Sequence, residues 1–408
     1  MPLSITWSIF LQSNYSEIVV ESFFICICVK ILLTEHDLLA KKVVSLPNLN
    51  GNVAVMAKSN NHVVIMAGGV GSRFWPMSTE EKPKQFIDVL GVGKSLLQLT
   101  YDRFNGICPP ENVWILTNQK YADLLHEQLP EVPVGNILRE PCRRNTAPCI
   151  AYVSWRIKNA DTKANIVVTP SDHIVTDTTE FRRVITQCLK FTSESDAVVT
   201  LGMHPTRPET GYGYIQADLR ASSMHNKEIF RVDQFREKPD LATAQLYLKH
   251  NNFFWNAGIF IWSATTIINA FRIYAPSIAK IFDNIRTKLG TEEEQALIDE
   301  RYSQCESISV DYAIMEKAEE IFVCPADFGW SDLGTWGSLL IQSQRDLYGN
   351  ATIGNNISLF DTKNCIVHTT EEKKVVIQGL DGYIVAEKNN TLLVCKLSEE
   401  QKIKQYSE

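Results

Sequence analysis

A glycine-rich turn that directly follows a short apolar run constrains the fold of this chain more than any other feature. Residues 63–76 read VVIMAGGVGSRFWP. An apolar run of this length that ends in glycine is typical of a buried strand. Gly68, Gly69 and Gly71 let backbone N–H groups approach an anion, and Arg73 adds a planar charged group suited to phosphate oxygens. The pattern predicts a strand that ends in a phosphate-binding loop.

The spacing of these glycines differs from the two most common glycine motifs. It fits neither the dinucleotide-binding pattern G-x-G-x-x-G nor the P-loop pattern G-x-x-x-x-G-K-[ST]. Downstream, residues 83–86 read PKQF and supply a second cation, Lys84. Arg73 and Lys84 together suit a triphosphate that is held from two sides. The alternative is a tight strand-to-helix turn with two solvated basic residues.

Short apolar runs alternate with helix-like stretches from residue 63 to about residue 203. Predicted strands occupy residues 63–66, 113–116, 166–168 and 198–201. Predicted helices lie near residues 96–104, 121–128, 147–159 and 181–192. This alternation favours an α/β fold with a mostly parallel sheet that helices cover on both faces. The segments after Pro208 predict strands and loops of a second lobe against this sheet.

Two acidic residues are candidate metal ligands. Asp172 lies in PSDH, residues 170–173, directly after a predicted strand, where ligands bind in parallel sheets. Asp332 lies between tryptophans in FGWSDLGTW, residues 328–336. Proteins hold Mg²⁺ through one or two carboxylates and substrate phosphates, so both residues suit this ion, with His173 as a neighbour rather than a ligand. The alternative for Asp172 is a helix N-cap or a surface turn.

Further polar residues occur where a ligand needs hydrogen bonds. Asn145 and Thr146 open a predicted helix, where they either cap it or present polar edges to a base or ribose. Glu237, Lys238 and Asn256 lie within apolar or alternating segments and suit a hydroxyl-rich ligand. The alternatives are a β-bulge for Asn256 and a surface ion pair for Glu237 and Lys238.

Composition limits the partners and the location of the chain. A length of 408 residues with 45% hydrophobic residues and a net charge of −7 describes a globular protein of two or three domains without broad nucleic-acid binding. Ten cysteines occur without a C-x-x-C pair, which favours reduced thiols and a cytoplasmic location. Residues 18–33 are apolar but contain Glu21 and Lys30, so we expect neither a membrane anchor nor a signal peptide.

The motifs taken together resemble a known family. It is the nucleotidyltransferases that make nucleotide sugars, and in particular the branch that makes GDP-mannose. The resemblance rests on AGGVGSRFWP (67–76), PKQF (83–86), RNTAP (144–148), PSDH (170–173), ETGYGYI (209–215), EKP (237–239), WNAGIF (255–260) and WSDLGTW (330–336), in the family's order. It implies a Rossmann-like, GT-A-like mixed sheet with flanking helices. It also implies transfer of GMP from GTP to mannose 1-phosphate, with Mg²⁺ as cofactor and release of pyrophosphate.

The resemblance also implies roles for individual residues. The implied catalytic residues are Arg73, which neutralises the leaving pyrophosphate, Lys84, which faces the α-phosphate, and Asp172. The implied nucleotide-binding residues are Gly68, Gly69, Gly71, Ser72, Arg73, Lys84, Asn145 and Thr146. The implied sugar-phosphate-binding residues are Gly211, Tyr212, Gly213, Glu237, Lys238, Asn256 and Gly258. The implied metal ligands are Asp172 and Asp332.

The chain divides into three predicted parts. Residues 1–55 are expected to be a non-native or disordered extension, with Met56 as the natural start. Residues 56–345 form the predicted catalytic domain, and residues 346–408 form a small β domain that resembles a solenoid and is too short for the isomerase domain of longer family members.

The expected partners exclude nucleic acid and membrane, and a homodimer is the candidate oligomer. Two alternatives stay open: a pyrophosphorylase for another nucleotide or sugar 1-phosphate, and a non-catalytic relative that binds nucleotide sugars.

Overall fold

The computed structural model describes residues 59–69, 71–223, 226–369 and 373–407. The predicted extension, residues 1–55, and the predicted start at Met56 lie outside the described residues, as does the apolar stretch 18–33. Within the described ranges, no helix is both long enough and apolar enough to cross a membrane.

A mixed nine-stranded sheet forms the centre of the described chain. Its strands are β1 (Asn61–Ala67), β2 (Val113–Asn118), β3 (Ile137–Glu140), β4 (Asn165–Pro170), β6 (Val198–Met203), β7 (Tyr214–Ser222), β8 (Phe230–Arg236), β9 (Phe253–Ser263) and β10 (Ile321–Ala326). Their order across the sheet is β3-β2-β1-β4-β9-β6-β10-β8-β7. A separate small sheet pairs β5 (Ile174–Val175) with β11 (Trp330–Ser331).

The sheet is parallel on one side and mixed on the other. β1 runs parallel to β2 and β4, and β2 runs parallel to β3. β9 lies between β4 and β6 and runs antiparallel to both, and β7 and β8 form an antiparallel pair. The prediction of a second lobe after Pro208 was therefore wrong, because these strands extend the first sheet through backbone hydrogen bonds. The expectation of a mostly parallel sheet holds for the strands up to residue 203, since β6 runs in the same direction as β4 and is parallel to β10, with β9 inserted antiparallel between β4 and β6.

Helices cover both faces of this sheet. They are α1 (Leu96–Arg103), α2 (Ala122–Gln128), α3 (Thr146–Ala160), α4 (Thr178–Ser193), α5 (Leu241–Tyr247), α6 (Ala264–Tyr274), α7 (Pro276–Ile285) and α8 (Glu294–Arg301). A further helix, α9 (Trp336–Gln342), packs instead in the cluster that contains residues of the β domain. The four helices predicted from the sequence correspond to α1 to α4. Along β1, Val64 packs into one hydrophobic cluster while Val63 and Ile65 pack into another. Successive side chains of a strand point to opposite faces, so an uninterrupted apolar strand fits a sheet buried on both sides.

The last part of the chain forms the predicted small β domain. Its elements are β12 (Ala351–Ile353), β13 (Ile357–Phe360), β14 (Ile366–Thr369), β15 (Val375–Gln378), β16 (Tyr383–Lys388), β17 (Thr391–Lys396) and a terminal helix, α10 (Ile403–Tyr406). β14 pairs in parallel with β12 and β16, while β13 pairs in parallel with β15. Two parallel ladders built from alternating strands are what successive coils of a β-solenoid produce.

The β domain shares a hydrophobic core with the segment that follows the glycine loop. Phe74, Trp336, Ile366 and Ile403 belong to one buried cluster, and the rings of Phe74 and Trp336 lie 5.2 Å apart. Lys388 Nζ donates a hydrogen bond of 2.6 Å to the carbonyl oxygen of Met77. The boundary between residues 345 and 346 stays a prediction.

Candidate active site

The glycine loop that follows β1 is held against the segment that contains Lys84. Gln85 Nε2 donates to the carbonyl oxygens of Ala67 at 3.1 Å and Gly69 at 2.9 Å. Gly71 has a φ of 68°, and a Cβ at this position would lie 2.4 Å from the Cβ of Lys84. Glycine alone accommodates both this backbone conformation and this close approach. The PKQF motif therefore fixes the shape of the loop as well as supplying a cation.

Lys84 lies where three motifs meet. Its side chain is 3% exposed, and its Nζ lies 3.0 Å from Asp172 Oδ2. Nζ also donates to the carbonyl oxygen of Asp332 at 3.1 Å. Asp172 comes directly after β4 and Asp332 directly after β11, so one ammonium group connects the ends of two distant strands. We call Lys84, Asp172 and Asp332 the lysine–aspartate centre.

The charges in this centre stabilise each other. Burial on its own raises the pKa of the Asp172 carboxyl, but the charge of Lys84, the effect of His173 and the hydrogen bonds that the carboxylate accepts together outweigh burial, and the pKa lies below its ordinary value. Burial lowers the pKa of His173, and His173 Nδ1 accepts a hydrogen bond of 3.2 Å from Trp330 Nε1. His173 is therefore a neutral neighbour of the centre. The N-cap of α4 is Asp177 rather than Asp172, so the capping alternative for Asp172 was wrong.

Two side chains of α1 fix the segment that contains Asp172. Arg103 Nη2 donates to the carbonyl oxygen of His173 at 2.7 Å, and Thr100 Oγ1 donates to that of Ser171 at 3.1 Å. Burial lowers the pKa of Arg103 to about 10, which leaves its guanidinium charged at neutral pH. Sequence reasoning missed both residues, because a polar side chain near the end of a helix is an ordinary feature.

Tyr212 holds the carboxylate of Asp332. Its hydroxyl donates to Asp332 Oδ1 at 2.5 Å, and the backbone N–H of Gly334 donates to the same oxygen at 3.1 Å. Burial and the neighbouring carboxylate raise the pKa of Tyr212 well above its ordinary value, so the hydroxyl remains a donor. The ring packs edge-on against Trp255 and Trp330. This residue, predicted to bind sugar phosphate, thus contacts a predicted metal ligand.

A second group of polar residues converges at Gly213. A Cβ at Gly213 would lie 2.5 Å from Glu237 Oε2 and 3.3 Å from the Cβ of Asn256, so a larger residue here would displace the Glu237 carboxylate. The side chain of Glu237 is 7% exposed and pairs with Lys238. The pair is therefore not an ordinary surface ion pair. We call Gly213, Glu237, Lys238, Asn256 and Asp311 the Gly213 cluster.

Asp311 is a member of this cluster that the sequence did not reveal. Asn256 Nδ2 donates to Asp311 Oδ1 at 3.0 Å, while Asn256 Oδ1 accepts from Thr200 Oγ1 and from the N–H of Gly258, both at 3.1 Å. Burial, and after it the charge of Glu237, raises the pKa of Asp311 to about 6. The sequence signal available for Asp311 was its position as a single acidic residue among apolar neighbours.

The Gly213 cluster and the lysine–aspartate centre are neighbours along the edge of the sheet. Asn256 pairs with Gly202 next to a shift in the register between β6 and β9. It therefore also lies at a β-bulge, which was the alternative interpretation of this residue. A Cβ at Gly258 would lie 3.5 Å from Pro170 Cγ and 3.8 Å from His173 Cε1. The middle of β9 therefore lies against the segment that contains Asp172.

A buried acid lies on the other side of the glycine loop. Glu140 ends β3, and a Cβ at Gly68 would lie 3.7 Å from its Oε2. The hydroxyl of Tyr302 donates to Glu140 Oε1. Burial raises the pKa of Glu140 to about 7, against the opposing effects of Tyr302 and Arg143. Glu140 was not predicted, although its place at the end of a strand just before the RNTAP motif was a usable signal.

Asn145 and Thr146 act as structural residues at the start of α3. Asn145 Oδ1 accepts from the N–H of Thr146 at 2.9 Å, and Thr146 Oγ1 accepts from the N–H of Val310 at 2.9 Å. These contacts correspond to the capping interpretation. Asn145 is also exposed, with a φ of 64°, so its remaining polar edge faces solvent.

Arg73 and Gly211 take no part in the contacts described above. Arg73 lies on the short 3-10 helix Ser72–Phe74, is exposed, and has no ion-pair partner within the described part of the chain. The N–H of Gly211 donates to Glu209 Oε1 at 3.1 Å.

The two aspartates of the centre are the predicted metal ligands. Among the described residues, no three His, Cys, Asp or Glu side chains lie close enough to hold a metal ion by themselves. Asp172 and Asp332 supply oxygen ligands from two segments that Lys84 joins. Mg²⁺ commonly binds one or two carboxylates and completes its shell with water and substrate phosphates. The donor set therefore fits a hard divalent cation that a phosphate-bearing substrate completes.

Known proteins share both the sequence motifs and the fold. The family model for nucleotidyl transferases matches residues 62–348, and the MannoseP isomerase/GMP-like beta-helix domain matches residues 354–407. A mannose-1-phosphate guanylyltransferase of Salmonella montevideo is 36% identical over 350 residues, which is 85% of this chain and 73% of the relative. Mannose-1-phosphate guanylyltransferase 2 of Escherichia coli O157:H7 is 34% identical over 85% of this chain and 72% of the relative.

A solved structure shows the same architecture. A crystal structure described as mannose-1-phosphate geranyltransferase from Thermus thermophilus aligns with a TM-score of 0.76 and 29% identity, covering 86% of this chain and 98% of that chain. The predicted nucleotidyltransferase fold with a C-terminal β domain is thereby confirmed. The chain belongs to the nucleotidyl transferase family, in the group of the mannose-1-phosphate guanylyltransferases.

Proposed function

We propose that this chain transfers GMP from GTP to α-D-mannose 1-phosphate and releases pyrophosphate. The observation that carries the proposal is the lysine–aspartate centre, where a buried ammonium joins two acidic segments beside the glycine loop. Nucleotidyl transfer needs positioning and charge neutralisation at phosphate oxygens and no protein nucleophile. The names of the relatives support guanine nucleotide and mannose 1-phosphate as the substrates.

The chain's own residues position the reacting groups. A phosphate oxygen of mannose 1-phosphate attacks the α-phosphorus of GTP in line, and pyrophosphate leaves on the opposite side. Lys84 neutralises the α-phosphate, and because Asp172 and Asp332 already fix its ammonium, little reorganisation accompanies the reaction. Arg73 is exposed at the end of the glycine loop, where its guanidinium contacts the leaving pyrophosphate.

Mg²⁺ is the proposed cofactor, with Asp172 and Asp332 as its protein ligands. When bound, the ion neutralises charge on phosphate oxygens. Tyr212 and the N–H of Gly334 orient the Asp332 carboxylate through its Oδ1. Arg103 orients the Asp172 segment through the carbonyl oxygen of His173. These hydrogen bonds to the two acidic segments set the positions of both carboxylates before substrates bind.

The Gly213 cluster is the proposed site for the sugar phosphate. Glu237 accepts hydrogen bonds from sugar hydroxyls, and Lys238 provides a cation next to it. Asn256 is held by Asp311 and Thr200, so its amide is fixed in orientation. The family resemblance assigns Gly211, Tyr212 and Gly258 to the sugar-phosphate side as well, although the Tyr212 hydroxyl itself binds Asp332. It assigns Asn145 and Thr146 to the nucleotide side.

Glu140 is the proposed determinant for guanine. A carboxylate accepts hydrogen bonds and donates none when it is ionised, and guanine presents N–H donors at N1 and N2 where adenine does not. Glu140 lies beside the glycine loop with one oxygen occupied by Tyr302. Its second oxygen is left to accept a hydrogen bond from the guanine base.

The cysteines support the proposed cytoplasmic location. In the described part of the chain, eight cysteines are unpaired, as expected in a reducing compartment. A homodimer stays a prediction from the sequence.

A substrate matrix tests the proposed function. Pyrophosphate release is measured with four nucleoside triphosphates against mannose 1-phosphate, glucose 1-phosphate and N-acetylglucosamine 1-phosphate, with and without Mg²⁺. We expect the highest kcat/KM for GTP with mannose 1-phosphate in the presence of Mg²⁺. A preference for another pair would replace the proposed substrates, and binding of GDP-mannose without turnover of any pair would show a non-catalytic relative.

A further inference from the structure

A short π-helical turn, Asp311–Met315, lies against the Gly213 cluster. The N–H of Glu316 donates to the carbonyl oxygen of Asp311 at 2.9 Å, which closes the turn, and residues 313–315 are buried in the main core. Isolated turns of this kind are frequent at functional sites. We call residues 311–316 the π turn. Its two ends carry carboxyl groups, and its buried middle fixes their backbone.

The start of α3 anchors the π turn from the other side. Thr146 Oγ1 accepts from the N–H of Val310 at 2.9 Å. The N–H of Ala147 donates to the carbonyl oxygen of Ile308 at 3.1 Å. Thr146 and Ala147 belong to the RNTAP motif, so the backbone that leads into the π turn is held by a segment assigned to the nucleotide side.

Asp311 sets the direction of the Asn256 amide. Asn256 Nδ2 donates to Asp311 Oδ1 at 3.0 Å, and Asn256 Oδ1 accepts from the N–H of Gly258 at 3.1 Å. The opposite orientation would bring two donors together at Gly258 and two acceptors together at Asp311, because an ionised carboxylate only accepts hydrogen bonds. A pKa of about 6 leaves Asp311 largely ionised above pH 7. One hydrogen of Nδ2 remains free, so Asn256 offers a ligand a donor rather than an acceptor.

Glu316 holds the second polar residue that faces Gly213. Glu316 Oε1 accepts from the backbone N–H of Glu237 at 3.0 Å. Glu237 Oε1 pairs with Lys238, while Oε2 lies 2.5 Å from the position that a Cβ would take at Gly213. The same position lies 3.6 Å from Asn256 Nδ2. The space that this glycine leaves open is therefore bordered by an acceptor from Glu237 and a donor from Asn256.

An acceptor and a donor side by side suit a hydroxyl group. A hydroxyl donates one hydrogen bond and accepts others, so a single sugar hydroxyl can satisfy both Glu237 and Asn256. A sugar that lacks this hydroxyl leaves both groups unpaired, and such a site discriminates strongly against it.

We propose that Asp311 and Glu316 are positioning residues for the sugar 1-phosphate, through which the π turn selects one sugar hydroxyl. Asp311 makes Asn256 a donor, and Glu316 holds Glu237 in place as the acceptor. This inference rests on the proposed function, because that function assigns the Gly213 cluster to the sugar. It adds a determinant of sugar selectivity from the segment between α8 and β10, outside the motifs that carry the family resemblance.

Deoxy analogues of the sugar test the inference. Values of kcat/KM are measured at pH 8 and saturating GTP for mannose 1-phosphate and for its 2-, 3-, 4- and 6-deoxy analogues. The unchanged chain is compared with Asp311→Ala, and Glu319→Ala is the matched control, because Glu319 is an exposed acid just beyond the π turn. In the unchanged chain we expect one analogue to lose about tenfold or more relative to mannose 1-phosphate.

The expected effect of Asp311→Ala is confined to one analogue. We expect KM for mannose 1-phosphate to rise by about tenfold with KM for GTP unchanged, and the penalty for the sensitive analogue to shrink. The penalties for the other three analogues are expected to stay the same. Asp311→Asn keeps an acceptor for Asn256, so it is expected to lie between the unchanged chain and Asp311→Ala. Glu316→Ala is expected to show the same pattern more weakly, since Glu316 is exposed.

The analogue series separates positioning from simpler effects. Removal of the Asp311 charge alone changes the affinity for the phosphate of all analogues equally. A loosened fold also acts on all analogues, and it raises KM for GTP as well. Thermal unfolding verifies that each variant is folded, and Asp311→Asn replaces the alanine variant if that variant unfolds.

The outcomes distinguish this inference from the proposed function. Turnover of GTP with mannose 1-phosphate, combined with deoxy penalties that Asp311→Ala leaves unchanged or lowers equally, overturns the inference and leaves the proposed function intact. An equal change in Glu319→Ala also overturns it. If a different sugar 1-phosphate is turned over, the proposed substrate fails, and the deoxy analogues of that sugar test the inference in the same way. If calorimetry and turnover detect no sugar 1-phosphate at all, both fail together.

Discussion

Replacing Lys84 by methionine removes the ammonium from the lysine–aspartate centre and keeps most of the aliphatic side chain. The chain then loses the ion pair with Asp172 and the hydrogen bond to the carbonyl oxygen of Asp332. We expect kcat to fall by about 10²–10³-fold, as loss of a fixed charge contact to the reacting group does in other enzymes. Stability is expected to fall as well, because Asp172 loses its partner.

Two limits bracket the loss of stability. Breaking a fully buried ion pair costs about 3–5 kcal/mol, whereas an exposed pair contributes about 0–1 kcal/mol. The side chain of Lys84 is 3% exposed but that of Asp172 is 35% exposed, so water reaches part of the abandoned carboxylate. We therefore expect the free energy of unfolding at pH 7 to decrease by about 1–3 kcal/mol, between the two limits.

The sign of the pH dependence follows from the pKa of Asp172. In the unchanged chain Lys84 holds this pKa below its ordinary value, so the carboxylate stabilises the fold above the ordinary value, about 3.9, and this contribution disappears as the pH falls through the lower pKa. In Lys84→Met the charge and the hydrogen bond of Lys84 are lost and burial is the largest remaining influence, so the pKa of Asp172 rises and protonation of the carboxylate relieves the loss of stability as the pH falls. The difference in stability between the two chains therefore narrows from pH 7 towards pH 4.

Urea unfolding at a series of pH values measures this difference, and pyrophosphate release measures kcat. Lys82→Met is the matched control, because Lys82 is exposed two positions away. A stability difference that does not change with pH would refute the assigned coupling between Lys84 and Asp172. A kcat close to that of the unchanged chain would refute the catalytic role of Lys84.

Three further predictions concern the other charged groups. Arg73→Ala is expected to lower kcat by roughly 10²-fold in the pyrophosphate-release assay with an unchanged Tm, because Arg73 is exposed; a changed Tm with normal kcat would make its role structural. Asp172→Asn and Asp332→Asn are each expected to raise the Mg²⁺ concentration for half-maximal rate, and the double variant is expected to be little worse than the worse single one, because one ion depends on both. Unchanged Mg²⁺ dependence in both single variants would contradict the assignment. Glu140→Gln is expected to lower the preference for GTP over ATP in kcat/KM by about tenfold. In the unchanged chain KM for GTP is expected to decrease as the pH rises through about 7, since the ionised carboxylate accepts the base hydrogen bonds.

The parallel part of the fold was predictable because its signals are local. The four predicted strands correspond to β1, β2, β4 and β6, and the four predicted helices to α1 to α4. Apolar runs between glycines and amphipathic stretches identify such elements without knowledge of their neighbours. The position of β9 was not predictable in the same way. Its apolar sequence suits any central strand, and only the backbone hydrogen bonds to β4 and β6 place it in the first sheet.

The site residues also divide into those that a local sequence motif indicated and those that only the fold brings together. Lys84, Asp172 and Asp332 lie in motifs that the family resemblance assigns to one site, and the structure joins them at one ammonium. Asp311 contacts Asn256 from 55 positions away. A contact at that separation arises from the fold, and one acid among apolar residues does not indicate its partner.

The same contacts show why Tyr212 could not be assigned from its motif. The ETGYGYI segment places Tyr212 next to Gly213, which suggests that both contact the same ligand. Tyr212 instead points its hydroxyl at Asp332, while Gly213 contacts Glu237 and Asn256. Neighbours in sequence here serve two different groups, because adjacent residues at a strand start point in opposite directions.

Strand pairing sets the distance between the glycine loop and the Gly213 cluster. β1, which ends in the loop, pairs with β4, and β4 pairs with β9, which carries Asn256. In-line transfer requires close alignment of the attacking oxygen and the phosphorus, and a misplacement of about 1 Å costs roughly 10²-fold in rate. Continuous backbone hydrogen bonds therefore align the two proposed substrate sites, where separate lobes would have to close on each other. Asp172 follows β4, the strand between β1 and β9, and so lies between the two proposed substrate sites. In this position it shares the Lys84 ammonium with Asp332.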